Sequence, residues 1–320
     1  MRFVVYGAGA IGGSLGALLS AAGEEVVLIA RGAHLEAMRD KGLRLVSPDG
    51  DAVRRIEAVG GPEEIGWRHD DVVLMAMKTQ DTEAALVRLP PGVAVVSVQN
   101  AVANERMMLR HFDGVYGVCV MFPTSHLEPG VVVVHSTPVP GILDIGRFPS
   151  GVDDRAEAIA AAFRRAGFRS EPQPDIMRLK YTKLLMNLGN AVEALCPPSP
   201  ERQDIAARLR QEARGVLDAA GIGYAGEEEN RAYRGDAITV KDIAGQPRSG
   251  SSSWQSLARG TGTIEADYLN GEIVLLGRLY GVPVKWNENA QRRARDAARQ
   301  HAAPGSLTTA EWLSSLDLVG

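Results

Sequence analysis

The chain has 320 residues, of which 45% are hydrophobic, and its formal net charge is −4. This length favours two domains, and the charge gives no electrostatic signature of nucleic-acid or membrane binding. Because Cys119 and Cys196 have no CxxC partner, the six histidines show no metal-ligand spacing, and no apolar run is long enough to span a membrane, we expect a cytoplasmic protein without a metal site.

The N-terminal stretch predicts a nucleotide-binding βαβ unit. The Val-rich run Arg2–Tyr6 is typical of a buried strand, and Gly7, Gly9 and Gly12 follow it at GxGxxG spacing, ahead of a helical stretch and a second apolar run at Glu25–Ala30. Gly7 permits the tight turn, Gly9 lets the backbone approach a pyrophosphate, and Gly12 lets the helix pack on the strand. The alternative is a glycine-rich turn in an ordinary βαβ unit. The residues predicted to contact a dinucleotide are Gly7, Ala8, Gly9, Ala10, Ile11 and Gly12.

Arg31 indicates which dinucleotide is bound. An NAD-binding unit usually has Asp or Glu at the end of its second strand, where the carboxylate accepts a hydrogen bond from the ribose 2′-OH. This chain has Ala30-Arg31-Gly32 there, and a guanidinium suits a 2′-phosphate through charge-assisted hydrogen bonds. The alternative is a solvated surface arginine. We expect NADP(H) as the cofactor.

The remaining pattern predicts an α/β fold, with a Rossmann-type doubly wound parallel sheet domain followed by a mostly α-helical domain. Further strand-like runs are Asp51–Val59, Val72–Met77, Val93–Val98, Val115–Met121, Val131–His135, Gly141–Ile145 and Phe168–Glu171. Helical stretches are His34–Lys41, Thr79–Val87, Asn104–His111, Asp153–Ala166, Asp175–Leu195, Gln203–Ala220 and Ile264–Tyr280. The close spacing of the later strands favours antiparallel hairpins at the sheet edge. Strand runs stop near Pro172, so we expect an NADP-binding domain at 1–172 and a helical substrate domain at 173–320.

Polar residues follow two strands of the predicted sheet. Lys78 comes directly after VVLMAM, and Asn100 comes directly after VAVVSVQ. Ligands of open α/β sheets bind beyond the carboxyl ends of the strands. We therefore expect Lys78 to meet cofactor phosphate or ribose and Asn100 to hold ribose or substrate. The alternative is that both residues only terminate their strands.

One helix of the second half carries a polar stripe. Lys183, Asn187 and Asn190 stand at i, i+4 and i+7 in KYTKLLMNLGNAVEAL, within about 60° of arc at 100° per residue. The other faces are apolar, so the helix is largely buried and its polar groups need partners. Either the amides are bonded inside a helix bundle, or the stripe faces a bound oxyanion or carbonyl.

Glu265 and a serine-rich patch complete the candidate residues. Glu265 stands near the start of a helical stretch, where a glutamate is often only a surface residue favoured by the helix dipole. Ser252 and Ser253 lie in a Ser/Gly-rich patch of the kind that usually forms a flexible loop. Their hydroxyl and N–H groups can also bind a carboxylate.

Together and in this order, these residues resemble the ketopantoate reductase (2-dehydropantoate 2-reductase) family over nearly the whole chain. The shared elements are GAGAIGG, Arg31, Lys78, the VQN strand end, the KYTKLLMN helix and SSSWQSLARGTGTIEADYLNGEIVLLGRLYGVPV. The resemblance implies that NADPH reduces 2-dehydropantoate, a small 2-oxo acid, to pantoate on the way to coenzyme A. It also implies a homodimer formed through the helical domain.

The resemblance assigns roles by position. Lys183 matches the catalytic lysine, which binds the substrate carbonyl and protonates the alkoxide, and Glu265 matches the glutamate that works with it. Ser253, 12 residues before Glu265, matches the substrate-binding serine, and Ser252 matches it if the loop carries an insertion. The residues expected to bind substrate are Asn100, Asn187, Asn190, Ser252 and Ser253.

Three positions depart from the family pattern, all on the substrate side. Ala101 replaces the glycine that commonly follows the VQN asparagine. Ala191 stands where a second helix asparagine is usual, with Asn190 one residue earlier, and Gly250 or Ser249 replaces another asparagine. The pattern therefore supports NADPH-dependent reduction more firmly than it supports 2-dehydropantoate as the substrate.

Other functions on the same fold remain as alternatives. The substrate can be a different small 2-oxo or 3-hydroxy acid, although a hydroxyacyl-type site would need a His–Glu pair and no histidine falls between His135 and His301. An NADP-sensing binding protein without turnover is the other alternative. It would have no need of Lys183, Asn187 and Glu265 together.

Overall fold

The computed structural model describes residues 1–243 and 250–318. The strands are β1 (Arg2–Tyr6), β2 (Glu25–Ile29), β3 (Leu43–Ser47), β4 (Gly50–Arg54), β5 (Glu57–Val59), β6 (Asp71–Met75), β7 (Ala94–Ser97), β8 (Val115–Met121), β9 (Thr124–Ser125), β10 (Val131–Val134), β11 (Ser136–Pro138), β12 (Ile142–Arg147) and β13 (Ile238–Val240). The α-helices are α1 (Ala10–Ala21), α2 (Gly32–Lys41), α3 (Thr82–Leu86), α4 (Asn104–Leu109), α5 (Asp154–Arg165), α6 (Ile176–Asn187), α7 (Asn190–Leu195), α8 (Pro200–Ala219), α9 (Glu227–Arg234), α10 (Ser252–Ala258), α11 (Asn270–Tyr280), α12 (Lys285–Arg299) and α13 (Thr309–Ser314). Short 3-10 helices are Pro62–Glu64, Thr79–Asp81, Glu265–Asp267 and Ser315–Leu318.

The described chain divides into two compact units. Residues 1–180 and 226–243 belong to the first unit, and residues 181–225 and 250–318 belong to the second. The boundary expected after residue 172 therefore differs from the observed one. Residues 173–180 stay with the first unit because the Lys180 ammonium is buried there against Glu105. Residues 226–243 return to it because β13 pairs with β11.

The main sheet of the first unit has seven strands in the order β12-β8-β7-β6-β1-β2-β5. All neighbouring strands are parallel except β12, which is antiparallel to β8 at the edge. The strand order reverses at β1, where Tyr6 is in register with Ile29 of β2 and Met75 of β6. The predicted Rossmann-type doubly wound sheet is confirmed, and its switch point lies beside the carboxyl end of β1.

Apolar side chains cover both faces of this sheet, as a parallel sheet requires. On β1, Phe3 and Val5 belong to a buried cluster that includes Leu15 of α1, whereas Val4 belongs to the cluster on the opposite face, with Met108 of α4. The alternation follows from the two-residue period of a strand. Burial on both faces fixes the register of β1 and hence the position of the glycine turn that follows it.

A second sheet of four strands, in the order β4-β3-β10-β9, corrects two strand predictions. Asp51–Val59, predicted as one strand, is split between the sheets, because β4 pairs with β3 while β5 pairs with β2. Val131–His135 was expected at the edge of the main sheet, but β10 lies in the second sheet, parallel to β3. Phe168–Glu171 is not a regular strand, since this segment makes only isolated bridges with β12, through Arg169 and Pro172.

The described residues of the second unit form helices joined by loops, with no strand, but two of its predicted helices are interrupted. Asp175–Leu195 forms two helices, α6 and α7, separated by a turn at Leu188 and Gly189. The Asn270 side chain stabilises this break because its Nδ2 donates to the Leu188 carbonyl oxygen at 3.0 Å. Ile264–Tyr280 likewise forms a 3-10 helix followed by α11. The pattern did not predict α10, α12 and α13, or α9 in the first unit.

None of the helices in the described ranges combines the length and the apolar composition that crossing a bilayer requires.

Candidate functional site

The glycine turn between β1 and α1 leaves open space at Gly9. Gly7 has a φ of +102°, and a Cβ on it would lie 2.8 Å from the Met77 backbone nitrogen. A Cβ on Gly12 would lie 2.2 Å from the Gly7 carbonyl oxygen, so neither Gly7 nor Gly12 has space for a side chain. A Cβ on Gly9 would have no neighbour within 4 Å, and no side chain caps the N-terminus of α1 at Gly9. The open space and uncapped N–H groups suit a pyrophosphate.

The other residues of this turn form its walls. Ala8 is buried and its carbonyl oxygen accepts a hydrogen bond from His34, whereas Ala10 and Ile11 are half-buried in the first turn of α1. The six residues predicted for the dinucleotide loop are thus contiguous, with Gly7, Ala8 and Gly9 between β1 and α1 and Ala10, Ile11 and Gly12 in the first turn of α1.

His34 of α2 holds the glycine turn. Its Nδ1 accepts a hydrogen bond from the Gly130 N–H at 2.8 Å, and its Nε2 lies 2.7 Å from the Ala8 carbonyl oxygen. A carbonyl can only accept, so the ring is neutral with its proton on Nε2. Burial lowers the pKa of His34, which favours the same neutral form. His126 lies against this ring, with 4.2 Å between the ring centroids. The sequence pattern gave no reason to expect this role beyond the position of His34 near the turn.

Arg31 stands at the carboxyl end of β2, as the first position before α2. Its side chain is exposed and makes no hydrogen bond or ion pair with another described residue. Most other arginines near this sheet are paired, such as Arg39 with Glu64 at 2.8 Å. An exposed and unpaired guanidinium at the end of the second strand is suited to an anionic ligand.

The turns that carry Lys78 and Asn100 are tied together by buried side chains. Gln99 Nε2 donates to the Met77 carbonyl oxygen at 2.9 Å, and Asn104 Nδ2 donates to the Asn100 carbonyl oxygen at 2.9 Å. Lys78 and Asn100 are both half-buried. The structure therefore brings these two predicted residues to adjacent turns at the carboxyl edge of the sheet, beside the glycine loop.

Ala101 explains one departure from the family pattern. Its φ is +66°, in the left-handed region that glycine adopts without strain. The backbone here keeps the conformation for which the usual glycine is suited, and the Ala101 methyl group is buried. The substitution therefore leaves the turn after Asn100 in place, at some cost in backbone strain.

In the second unit, Lys183 and Asn187 lie one turn apart on α6. Lys183 is half-buried and Asn187 is 7% exposed. Asn190 does not continue this face, contrary to our expectation, because the turn at Leu188 and Gly189 makes it the first residue of α7. Asn190 therefore does not share one helix face with Lys183 and Asn187, although all three residues belong to this unit.

The serine-rich patch is helical where it is described. Ser251 caps α10, accepting a hydrogen bond from the Trp254 N–H, and its own N–H donates to Glu193 Oε1 on α7 at 3.1 Å. Ser252 is half-buried and Ser253 is 3% exposed in the first turn of α10, so the flexible-loop interpretation is wrong for these two residues. The hydrogen bond to Glu193 joins the start of α10 to the helix that begins at Asn190.

The departure near Gly250 also has a local cause. Gly250 has a φ of +49°, and a Cβ on it would lie 2.6 Å from Cγ of Trp254. Asparagine has no room at this position beside the indole ring. Ser249, the other position considered for that asparagine, lies outside the described residues.

Glu265 is buried, with 6% of its surface exposed, at the first position of the 3-10 helix Glu265–Asp267. Its carbonyl oxygen accepts from the Tyr268 and Leu269 N–H groups, which fixes its backbone. The interpretation of Glu265 as a surface residue favoured by the helix dipole is therefore wrong. Burying a carboxylate is costly without polar partners, and Glu265 has an interaction partner among the described residues.

Two groups of residues that support the candidate site were not expected from the sequence. One is the buried pair of Lys180 and Glu105 in the first unit, and the other is Asn270 in the second. A second lysine three residues before Lys183 on an apolar helix was a signal for the first group. No group of His, Cys, Asp and Glu side chains within 1–243 and 250–318 is arranged to hold a metal ion.

Comparison with known proteins assigns both halves of the chain. The family model described as "Ketopantoate reductase PanE/ApbA" matches residues 3–150, and its C-terminal counterpart matches residues 175–296. The 2-dehydropantoate 2-reductase of Archaeoglobus fulgidus is 30% identical over 88% of this chain and 92% of its own. That of Halobacterium salinarum is 29% identical over 89% of this chain and 94% of its own.

Solved structures agree with this assignment. A PanE/ApbA family ketopantoate reductase from Ralstonia eutropha superposes with a TM-score of 0.79 at 28% identity, covering 94% of this chain and 99% of the other. D-mandelate dehydrogenase, solved with NADH and anilino(oxo)acetate, has a TM-score of 0.78 at 19% identity over 94% of this chain and 99% of its own, and so shares the fold. The matches to both halves establish that this chain belongs to the ketopantoate reductase family of oxidoreductases.

Proposed function

We propose that this protein reduces a small 2-oxo acid with NADPH, and that 2-dehydropantoate, reduced to pantoate in pantothenate and coenzyme A biosynthesis, is the first candidate substrate. The proposal rests mainly on three polar side chains of the second unit. This unit combines the Lys183 ammonium, the Asn187 amide one turn away and the buried Glu265 carboxylate. In addition, the curated relatives that match most of the chain are named 2-dehydropantoate 2-reductase.

The first unit would hold the cofactor. The open space at Gly9 and the uncapped N–H groups of α1 would receive the pyrophosphate, and Arg31 would bind a 2′-phosphate. Lys78 and Asn100 would meet its phosphate or ribose from their adjacent turns. When bound, the reduced nicotinamide supplies the hydride.

The second unit would bind and protonate the substrate. Lys183 would donate a hydrogen bond to the C2 carbonyl oxygen, stabilise the alkoxide that develops there and deliver the proton. Glu265 would orient that ammonium or accept from a substrate hydroxyl group. The residues proposed to fix the substrate's carboxylate and hydroxyl groups are Asn100, Asn187, Asn190, Ser252 and Ser253.

Two alternatives concern the ligands. The D-mandelate dehydrogenase fold neighbour was solved with NADH, so NADH is the competing cofactor. The same neighbour suggests an aromatic 2-oxo acid as a competing substrate, and the changes at Asn190 and Gly250 fall on the substrate side.

The test is steady-state oxidation of NADPH and of NADH with a panel of 2-oxo acids that includes 2-dehydropantoate, pyruvate and phenylglyoxylate. We expect turnover to be fastest with NADPH and 2-dehydropantoate. Faster turnover of phenylglyoxylate would retain the reductase and change its substrate. Tight NADPH binding without turnover of any acid in the panel would favour a sensor.

We also propose a cytoplasmic homodimer formed through the helical unit. Leu275 and Leu279, one turn apart on α11, are 50% and 67% exposed, and the neighbouring Tyr280 is 51% exposed. Light scattering of the purified protein tests this association. Leu275→Glu combined with Leu279→Glu should shift a dimer to the monomer mass, because two charges cannot be buried in an apolar contact without partners.

A further inference from the structure

A fully buried ion pair lies in the first unit outside the residues assigned to catalysis. Lys180 Nζ is 2.6 Å from Glu105 Oε1, and the two side chains are 2% and 0% exposed. The Lys180 ammonium is the sole partner of the Glu105 carboxylate among the described residues. The pair packs against Gly117 of β8, where a Cβ would lie 3.4 Å from both Glu105 Oε1 and Lys180 Cδ.

Stability alone does not account for this pair. Removing two charges from water is costly, and apolar side chains of similar volume often stabilise a core equally well or better. A buried pair is better explained by the geometry that it imposes on its neighbours. The role of the pair therefore depends on the groups that the ammonium binds.

Lys180 Nζ donates to the Gln99 carbonyl oxygen at 3.0 Å, and it lies 3.4 Å from both Ser97 Oγ and the Val118 carbonyl oxygen. It therefore binds the backbone of the residue immediately before Asn100. The next residue, Ala101, is held in the left-handed conformation. The turn around Asn100 is thus strained and is fixed from the Lys180 side.

Asn104, the residue before Glu105, fixes the opposite side of the same turn. Asn104 Nδ2 donates to the Asn100 carbonyl oxygen, and Asn104 Oδ1 accepts from Thr82 Oγ1 at 3.0 Å. Gln99 Nε2 also donates to Thr82 Oγ1 at 2.8 Å. These side chains are all at most 4% exposed. The carbonyl oxygens of Gln99 and of Asn100 itself are therefore both held in place by buried donors.

We propose that Lys180 and Glu105 are positioning residues, which act on the nucleotide and substrate through Asn100 by fixing the turn that carries it. The ammonium binds the Gln99 carbonyl oxygen, and the carboxylate holds the ammonium in place. This inference rests on the proposed function only in the role it gives to Asn100, and it needs no contact between the ion pair and a ligand.

The test replaces both charges together, with Lys180→Met and Glu105→Leu in one full-length protein. Because no unpaired charge remains buried, this variant should unfold at a temperature equal to or above that of the parent. Its affinity for NADPH, measured by calorimetric titration without substrate, should nevertheless fall on the order of 10-fold, and kcat/KM should fall 10- to 100-fold, because a small misplacement of a binding group is costly. If the leucine variant fails to fold, Glu105→Gln with Lys180→Met provides the same comparison.

The decisive measurement is the coupling to Asn100. In an Asn100→Ala background, removal of the ion pair should cause little further loss of NADPH affinity, because residues that act through one group are not additive. A matched control is Arg178→Met with Glu229→Gln, which removes an exposed ion pair that begins on the same helix and should leave affinity unchanged.

Two results would overturn the inference. One is a stable double variant that binds NADPH as the parent does, and the other is a loss that adds in full to that of Asn100→Ala. Absence of turnover in the parent would instead contradict the proposed function, and the affinity measurement would still test the role of the ion pair.

Discussion

At the scale of single residues, Arg31 at the end of β2 is the side chain that we propose distinguishes NADPH from NADH. Arg31 is exposed and has no partner among the described residues, so its guanidinium is available to a 2′-phosphate. Arg31→Ala should weaken NADPH binding by roughly 1.5–3 kcal/mol, about 10- to 100-fold, the range for a hydrogen bond to a charged group. NADH binding should barely change. Titration of both cofactors checks this.

Arg55→Ala is the matched control for that experiment. Arg55 is also exposed, but it precedes β5, the parallel neighbour of β2, and so lies near the amino ends of these strands, whereas Arg31 follows the carboxyl end of β2. Its removal should leave both affinities unchanged. If the parent binds NADPH and NADH equally well, Arg31 does not select the cofactor.

His34 gives a pH-dependent prediction. Burial lowers its pKa, so the folded protein favours the neutral ring that bonds both Gly130 N–H and the Ala8 carbonyl oxygen. A lowered pKa means that this contribution is complete above the unfolded value of about 6.5 and is lost as the pH falls through the folded value. The difference in free energy of unfolding between the parent and His34→Ala should be constant above about pH 6.5 and shrink below it. Urea unfolding at a series of pH values measures it, and a difference that grows in acid would contradict the neutral tautomer.

The individual residues also show what the sequence could predict. The glycine turn was predictable because the GxGxxG spacing directly follows a buried apolar strand, and the structure places Gly7 and Gly9 between β1 and α1 and Gly12 in the first turn of α1. The effects of Ala101 and Gly250 could not be predicted, since they depend on a backbone φ and on the position of the Trp254 ring. The assigned ligand roles of Lys183, Glu265 and the other site residues stay predictions.

At the scale of elements, α6 shows why a periodic pattern does not locate a helix end. Leu188 and Gly189 continue the apolar pattern of KYTKLLMNLGNAVEAL, yet the helix stops there. The stop depends on Asn270, 82 residues later, whose Nδ2 donates to the freed Leu188 carbonyl oxygen. Asn270 also donates to Asn287 Oδ1 at 3.0 Å, and both asparagines are buried. No local pattern contains a hydrogen bond of this range.

The break between α6 and α7 should therefore be sensitive to Asn270. Asn270→Ala leaves the Leu188 carbonyl oxygen and Asn287 Oδ1 without this donor, and each unsatisfied buried group costs about 1–3 kcal/mol. We expect a loss of at least about 2 kcal/mol in the free energy of unfolding, measured in urea. Gln291→Ala, which removes an exposed hydrogen bond to Asp267, should change it by less than about 0.5 kcal/mol. Equal effects of the two substitutions would show that Asn270 does not hold the break.

At the scale of the whole molecule, the first unit is built from two separate segments of the chain. The second segment includes the three residues of β13, which pair antiparallel with β11, about a hundred positions earlier. β13 has only three residues, none of them buried, so it lacks the longer buried apolar run that marks the strands of the main sheet. The Rossmann sheet was predictable because its strands are buried and apolar on both faces, whereas this return depends on pairing between distant segments.

The division of residues between the units yields the last prediction. The glycine turn and Arg31 belong to the first unit, whereas Lys183 and Glu265 belong to the second. If Lys183 protonates the alkoxide, Lys183→Ala should lower kcat by about 10²–10⁴, the range for general acid catalysis, while NADPH affinity survives. Glu265→Gln should also lower kcat. The double variant should lose less than the product of the two effects, because groups that act as a unit are not additive.

Two measurements separate this from a structural effect. Asn270→Ala disturbs the end of the same helix without touching Lys183, so its loss should appear in the free energy of unfolding rather than in a kcat decrease of this size. Lys183→Ala should leave the free energy of unfolding nearly unchanged, because the half-buried ammonium is not part of the core. A Lys183→Ala protein that turns over its 2-oxo acid within a few-fold of the parent would show that another group supplies the proton. The proton donor would then have to be sought among the other polar groups of the second unit.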